Sequence, residues 1–357
     1  MDTTWVSDKA PAARRVDSVD INAAMSPYAD AGVQRDSTLW YLLSRILKRH
    51  TTRAGVAATV HGMLPYLRWL RAQAIEFTNV SEDDAEDFFN DQRRRGMHPS
   101  TIYQRVCSAR TLYEEALRKE HVSRNPFRFI KIRKVAPITR TPAISKEDVE
   151  LTLAKIHEEF EDLERALVAK RDYALLLLMA WTALRSIEVS RLRWGDFFLD
   201  RGAMVMRIQG KGNKTADVPV PEAVWAALID WRTGYERTRK HAWTASDPVF
   251  PSLSPRNRIR KPEDAKKPLV GCEPAALSAV VHRRLADVGI TGKRLRAHCL
   301  RATAATLAIA AGAQIQEVRL LLRHESLQTT QGYIDFEKAK QGNAQDRLKY
   351  RLPGSAS

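Results

Sequence analysis

Cysteine is scarce in this chain of 357 residues: only Cys107, Cys272 and Cys299, odd in number and far apart. No C-x-x-C pair occurs. That argues against a disulfide framework and a zinc site, and it favours a reducing compartment such as the cytosol. Long apolar runs are missing as well; none approaches the roughly 20 residues of a membrane span. The opening Met1-Asp2-Thr3-Thr4-Trp5 has neither the basic lead nor the apolar core of a secretory signal. A nucleotide loop is also absent. Gln209-Gly210-Lys211-Gly212-Asn213-Lys214 suggests one but lacks the G-x-x-x-x-G-K-[ST] order. Acidic residues are in deficit: 42 Asp and Glu stand against 58 Lys and Arg, a formal charge of +16. The charge calls for a polyanionic partner, nucleic acid ahead of an acidic membrane surface.

The chain is long enough, and at 44% apolar rich enough, for two domains with cores of their own. Residues 1–35 show little periodicity and read as a flexible N-terminal tail. From Asp36-Ser37 onward, four helical patterns predict a helical DNA-binding unit over 36–130. Their signals are the cap at Ser37, an apolar stripe through 54–75 interrupted by Pro65, a capping box at Ser81-Glu82-Asp83-Asp84, and Pro99-Ser100 opening the last helix. Arg93, Arg94, Arg95, Arg105 and Arg110 form its basic cluster. Tyr103, Gln104 and Arg105 stand off the apolar stripe and are candidates for the DNA face, against the plainer reading of a solvated helix face.

Residues 131–144 read as a basic, proline-punctuated linker. A second domain then runs over 145–352, opening on the cap-like Ser145-Lys146-Glu147-Asp148, and 353–357 is a tail. Within this domain Ala203 to Ile208 alternates as a strand and Ala216 to Val220 returns, which puts Lys211 near a hairpin tip. Arg256, Arg258 and Arg260 lie in a cation-rich loop suited to solvent or the DNA backbone. The expected class is mostly α: a helical core-binding domain plus an α+β domain with a small antiparallel sheet.

Arg296 to Tyr333 carries the densest chemistry. His298 and Arg301, at i and i+3, share one face of an Ala-rich helical pattern, and Arg323-His324 and Tyr333 follow. Upstream, Arg185 lies in an apolar neighbourhood with Glu188 three residues on. Taken alone, that pair reads first as a structural ion pair. Ala183-Leu184-Arg185-Ser186-Ile187-Glu188, Gly210-Lys211-Gly212-Asn213-Lys214, His298-x-x-Arg301 and Leu321-Leu322-Arg323-His324 with Tyr333 stand in the order found in the tyrosine site-specific recombinases, the phage integrase family. Residues 97–126 also resemble part of that family's core-binding domain. One departure is plain: Arg323 stands where the family usually has glycine. A cation there either crowds His324 or adds a phosphate contact.

The resemblance implies a site-specific recombinase that cleaves and rejoins duplex DNA through a 3′-phosphotyrosine, without metal, ATP or other cofactor. It implies Tyr333 as nucleophile, Arg185 and Arg301 as clamps on the phosphate oxygens and Lys211 as general acid. His298 and His324 would serve as hydrogen-bonding and proton-transfer groups, and Glu188 would orient Arg185 or a histidine. Double-stranded DNA, a homotetramer on synapsed DNA and an accessory directionality factor are the expected partners, in a bacterial or phage-host cytosol; phages, transposons and other mobile elements are among the possible settings. Two rivals remain at this level: a type IB topoisomerase-like nicking and closing enzyme, and a non-catalytic DNA-binding accessory protein.

Overall fold

The structure is a computed structural model, and it describes residues 6–7, 11, 20–50, 53–132, 141–162, 164–210, 214–239, 243–252, 269–292 and 294–324. The chain forms two compact units. One is Arg14–Arg140; the other joins Met1–Ala13 to Thr141–Ser357.

The first unit is helical: α1 (Ile21–Asp30), α2 (Thr38–Lys48), α3 (Arg53–Gln73), α4 (Glu82–Arg94) and α5 (Pro99–Arg118). Helix α1 corrects the reading of residues 1–35 as a flexible tail. Asp20 caps it by accepting from the Ala23 N–H at 3.1 Å, and Met25 and Tyr28 are buried in the core. Two buried anchors around an internal Pro27 make too weak a periodic signal to read from sequence. The capping boxes act as expected: Ser81 and Asp84 satisfy each other's backbone N–H groups, and α4 stops before Gly96 at φ +66°. Pro65 does not end α3, which continues to Gln73.

The core is aromatic. Tyr66 lies edge-on to Phe88 and Phe127 at centroid distances of 5.0 and 5.2 Å, and its hydroxyl meets that of Tyr113 at 2.7 Å. Arg110, grouped with the basic cluster in the sequence, donates instead to the carbonyls of Phe127 and Ile130 at 3.1 and 3.0 Å, pinning the segment after α5.

One buried carboxylate joins α2 to α5. Glu115 is 1% exposed and accepts from Arg45 at 3.0 Å, and also from Arg49 and Arg118. Burial alone pushes its pKa up, but the hydrogen bonds from Arg118, Arg45 and Arg49 outweigh that and bring it down to about 2. A depressed carboxyl pKa gives stability that is complete above the unfolded value near 4.3 and is lost as pH falls toward 2. The arginines are partly solvated, which trims the effect to about 2–3 kcal/mol. Urea unfolding of the full chain at pH 7, 5, 4 and 3 is expected to show this loss in the first unit. Glu115→Gln is expected to be less stable at pH 7 and to lose the slope below pH 5; an unchanged slope would remove Glu115 as its source.

The second unit contains α6 (Lys146–Glu158), α7 (Ala166–Thr182), α8 (Ser186–Arg191), strands β1 (Phe197–Asp200), β2 (Ala203–Gln209) and β3 (Thr215–Pro219), then α9 (Glu222–Arg239), α10 (Pro274–Ala286), α11 (Ala297–Ala310) and α12 (Ile315–Leu322). The strands form one antiparallel sheet in the order β1-β2-β3, with Phe197 opposite Met206 and Gln209 opposite Thr215. Ser7 bridges the outer edge of β1 in parallel at Phe198. Its carbonyl accepts from the Leu199 N–H at 3.0 Å, and the Pro11 carbonyl accepts from Arg207 at 2.6 Å. Ser7 and Pro11 therefore also depart from the expected tail, because an open strand edge offers backbone groups that a passing chain can satisfy.

Helix α7 runs through the core, burying Leu175, Leu176, Leu178 and Met179, and packs on α6, α9 and α11. A buried ion cluster ties it to α10. Asp172 accepts from Arg171 through one oxygen at 2.8 Å, and from Arg283 and Arg284 through the other at 2.6 and 2.7 Å. Ile144, at the end of the predicted linker, is buried here, and its N–H donates to Thr303 at 3.0 Å. The chain has the mostly helical class with a small antiparallel sheet that its sequence predicts. No described helix is long and apolar enough to cross a membrane, and no group of three or more His, Cys, Asp and Glu among the described residues is placed to hold a metal.

Candidate active site

Four of the six predicted catalytic side chains fall within the described residues, and they converge. The geometry starts from two helix ends. Helix α7 stops at Ala183, held in the left-handed region at φ +52°. Arg185 follows in extended backbone and begins α8. Helix α12 stops at Arg323, left-handed as well at φ +51° and ψ +46°. There the Arg323 N–H returns to the Leu320 carbonyl at 3.0 Å and the His324 N–H to that of Arg319 at 3.1 Å, a Schellman end. Left-handed backbone costs a non-glycine residue about 1–2 kcal/mol. Both ends need compensation, and arginines supply it.

Arg301, on the inner face of α11, is 1% exposed. One Nη donates to the Ala183 carbonyl at 2.5 Å and the other to the Leu322 carbonyl, so this guanidinium bolts the two helix ends together. Glu188 has a side chain 1% exposed and holds Arg185 twice. It accepts from the Arg185 N–H and from its guanidinium, both at 2.8 Å. Arg185 keeps 35% of its side chain exposed, open to an anion. The ion pair read from the sequence as a plain structural alternative is thus present, and it leaves Arg185 reachable.

Arg323 is the residue whose part the sequence did not reveal. Its guanidinium turns inward to the carbonyls of Thr182 and Ala183 at 3.2 and 3.0 Å and to Glu188 at 3.2 Å. The only signal was the missing glycine.

The cations act on both histidines. His298, on α11 and open to solvent at its edge, has its pKa lowered by desolvation and then by Arg301 and Arg185. His324 is half-buried. Desolvation, followed by Arg301, Arg185, Arg323 and His298, brings it down to about 4. Both imidazoles are therefore biased toward the neutral form at pH 7. Cys299, next to His298, points into the core, where burial pushes its thiol up to about 11; a Cys–His nucleophile pair has no footing there.

Lys211 and Tyr333 lie outside the described residues, as do Arg256, Arg258 and Arg260. The base of the hairpin that carries Lys211 is described. The Gly210 N–H donates to the Lys214 carbonyl at 2.8 Å, and a methyl group built on Gly210 would stand 3.8 Å from Glu188 Oε1. The hairpin base thus abuts the carboxylate that holds Arg185. Tyr103, Gln104 and Arg105 belong to the other unit. Gln104 is exposed, Tyr103 is half-buried with a hydrogen bond to Cys107, and Arg105 donates to Gln92.

Residues 143–340 match the model of the phage integrase family. The chain belongs to that family. It is a tyrosine recombinase, one of a group of enzymes that break and rejoin DNA strands in site-specific recombination. The curated relatives agree. Tyrosine recombinase XerC of Xanthomonas campestris pv. campestris (strain B100) is 26% identical over 323 residues, covering 87% of this chain and 89% of that protein. XerC of Corynebacterium efficiens is 27% identical, covering 77% and 80%. Two solved structures share the fold. The XerH site-specific recombinase in a post-cleavage complex with palindromic difH matches with a TM-score of 0.64, at 18% identity over 95% of this chain and 90% of its own. The Tn1549 transposon integrase with transposon right end DNA matches at 0.57, with 16% identity over 85% and 98%.

Proposed function

We propose that this tyrosine recombinase grips duplex DNA and exchanges strands through a 3′-phosphotyrosine intermediate. The observation that carries the reading is the convergence of Arg185, His298, Arg301 and His324 from separate elements into one cationic cluster with neutral-biased histidines. Such a cluster is built for a phosphate in transit, where charge grows on the non-bridging oxygens. Arg185 meets the phosphate from the solvent side and Arg301 lends its charge from beneath. The Tyr333 hydroxyl attacks phosphorus while its proton passes to a neutral histidine. The 5′ oxygen departs with a proton from Lys211. Because the phosphodiester bond is exchanged for a phosphotyrosine bond, the 5′ hydroxyl of a partner strand can reverse the step without ATP. No step needs a metal or other cofactor.

The complexes with DNA formed by XerH and the Tn1549 integrase support duplex DNA as the substrate. The Tn1549 likeness also supports a mobile-element setting. A homotetramer on synapsed sites, with an accessory factor for directionality, completes the reading. Tyr103, Gln104 and Arg105, with Arg256, Arg258 and Arg260, are assigned to DNA contact.

A nicked duplex of the DNA flanking the gene, which traps the intermediate because the short fragment bearing the freed 5′ hydroxyl diffuses away, tests this directly. The expected product is a covalent adduct on a denaturing gel whose peptide map places the phosphodiester on Tyr333. Absence of adduct on DNA that the protein binds would favour the accessory-protein rival. Supercoil relaxation with no recombinant product would favour the nicking-closing one.

A further inference from the structure

Arg323 serves both limbs of the site. Its backbone is the left-handed residue that closes α12 and sends the His324 N–H back to the Arg319 carbonyl. Its side chain, 15% exposed, crosses to the other helix end, where Ala183 and Glu188 accept from the same Nη at 3.0 and 3.2 Å. Those acceptors are shared. The Ala183 carbonyl also receives Arg301, and Glu188 also holds both the backbone and the guanidinium of Arg185. The Arg323 Nε is buried without a hydrogen-bond partner among the described residues, so the side chain is held inward despite an unfavourable contact.

We propose that Arg323 is a positioning residue that couples the His324 turn to the Arg185–Glu188 limb, so that both sides of the phosphate site move as one body. The proposal rests on the reading of this cluster as the phosphoryl-transfer centre. Glycine here would supply the turn without strain but not the tie. Lysine would supply a charge, but its single ammonium lacks the planar fork whose two Nη groups reach Thr182 on one side and Ala183 with Glu188 on the other. Among the described residues, the charged or titratable groups that act on His324 are Arg323 on its own turn, His298 and Arg301 from α11 and Arg185 at the start of α8; Glu188 partly offsets Arg323. Arg323 therefore also helps to keep His324 unprotonated.

The test uses the full chain with Arg323→Gly and Arg323→Lys. It reads His324 by NMR titration in the free protein and single-turnover cleavage of the nicked duplex across pH 5–9. With glycine, the His324 midpoint is expected to rise by about half a unit and cleavage to slow about 10- to 100-fold. With lysine, the midpoint is expected to stay low while cleavage slows about tenfold. Glycine cleavage within about threefold of the wild type overturns the proposal, and so does slow cleavage with an unmoved midpoint and pH profile, which marks a merely structural residue. If the glycine variant does not fold, the lysine variant decides: slowing beyond about threefold supports the tie, and wild-type cleavage overturns it. If the wild type itself leaves no adduct, the phosphoryl-transfer reading fails, and the tie stands or falls on the glycine midpoint alone.

Discussion

Arg301→Ala is expected to lower single-turnover cleavage by about 10³-fold or more and to destabilise the second unit by about 2–4 kcal/mol. The two losses have separate causes. The guanidinium is the most deeply buried charge in the site, and its field reaches His298, His324 and the proposed phosphate together. Losing one donor to transition-state oxyanion charge costs about 10²–10³ in other enzymes, and a dedicated arginine can be worth more. Stability falls because the Leu322 carbonyl loses the Arg301 donor, whereas the Ala183 carbonyl keeps Arg323. Arg301→Lys separates the effects. It keeps a charge but cannot span both carbonyls, so its rate should recover more than its melting temperature. Cleavage by the alanine variant within tenfold of the wild type would take Arg301 out of the reaction.

The second large effect lies away from the chemistry. Asp172→Ala is expected to destabilise the second unit by about 3–5 kcal/mol, roughly 10 °C in melting temperature. Asp172 is fully buried, and its two oxygens serve three arginines from α7 and α10. Arg171 and Arg284 are themselves almost wholly buried, and Arg284 also meets Glu159 at 2.6 Å and Asp287 at 3.5 Å. Removing the shared anion strands positive charge where water cannot reach, and stranded charge costs more than the intact cluster contributes. Arg185 and Glu188 are held by each other and by Arg323, so cleavage by the folded fraction at low temperature should stay within a few-fold of the wild type. A thermal shift of only a degree or two would mean that α7 and α10 are held by apolar packing alone.

What the sequence made legible, and what it hid, divides along physical lines. Local signals carried through: Ser81 and Ser145 cap α4 and α6, Pro99 opens α5, and the alternation of Ala203 to Ile208 is β2. These depend on neighbours within four residues, which a sequence displays directly. Strand β1 escaped because four residues, two of them large and buried, have no period to show. Helix α1 escaped because its stability comes from packing Met25 and Tyr28 rather than from propensity. In the candidate site, the resemblance to the phage integrase motifs marked Arg185, His298, Arg301 and His324; taken alone, Arg185 read as a structural ion pair. The contacts among them could not be read. Arg301 reaches Ala183 and Leu322 across more than 20 residues in each direction. The role of Arg323 depends on a backbone angle that no composition rule assigns to arginine.

The strand-edge contact at Ser7 bears on the order in which the molecule is made. Ser7 pairs with Phe198, and the whole of the first helical unit is encoded between them. A ribosome releases that helical unit complete before β1 exists, so the helices can close on themselves while the leading residues still have no partner. The second unit then has to recover its own beginning from across a finished domain. This long-range closure makes a slow step, governed by loop entropy rather than by local propensity. Refolding from denaturant should therefore show two phases, the earlier reporting the helical unit and the later reporting capture of Ser7 by the edge of β1.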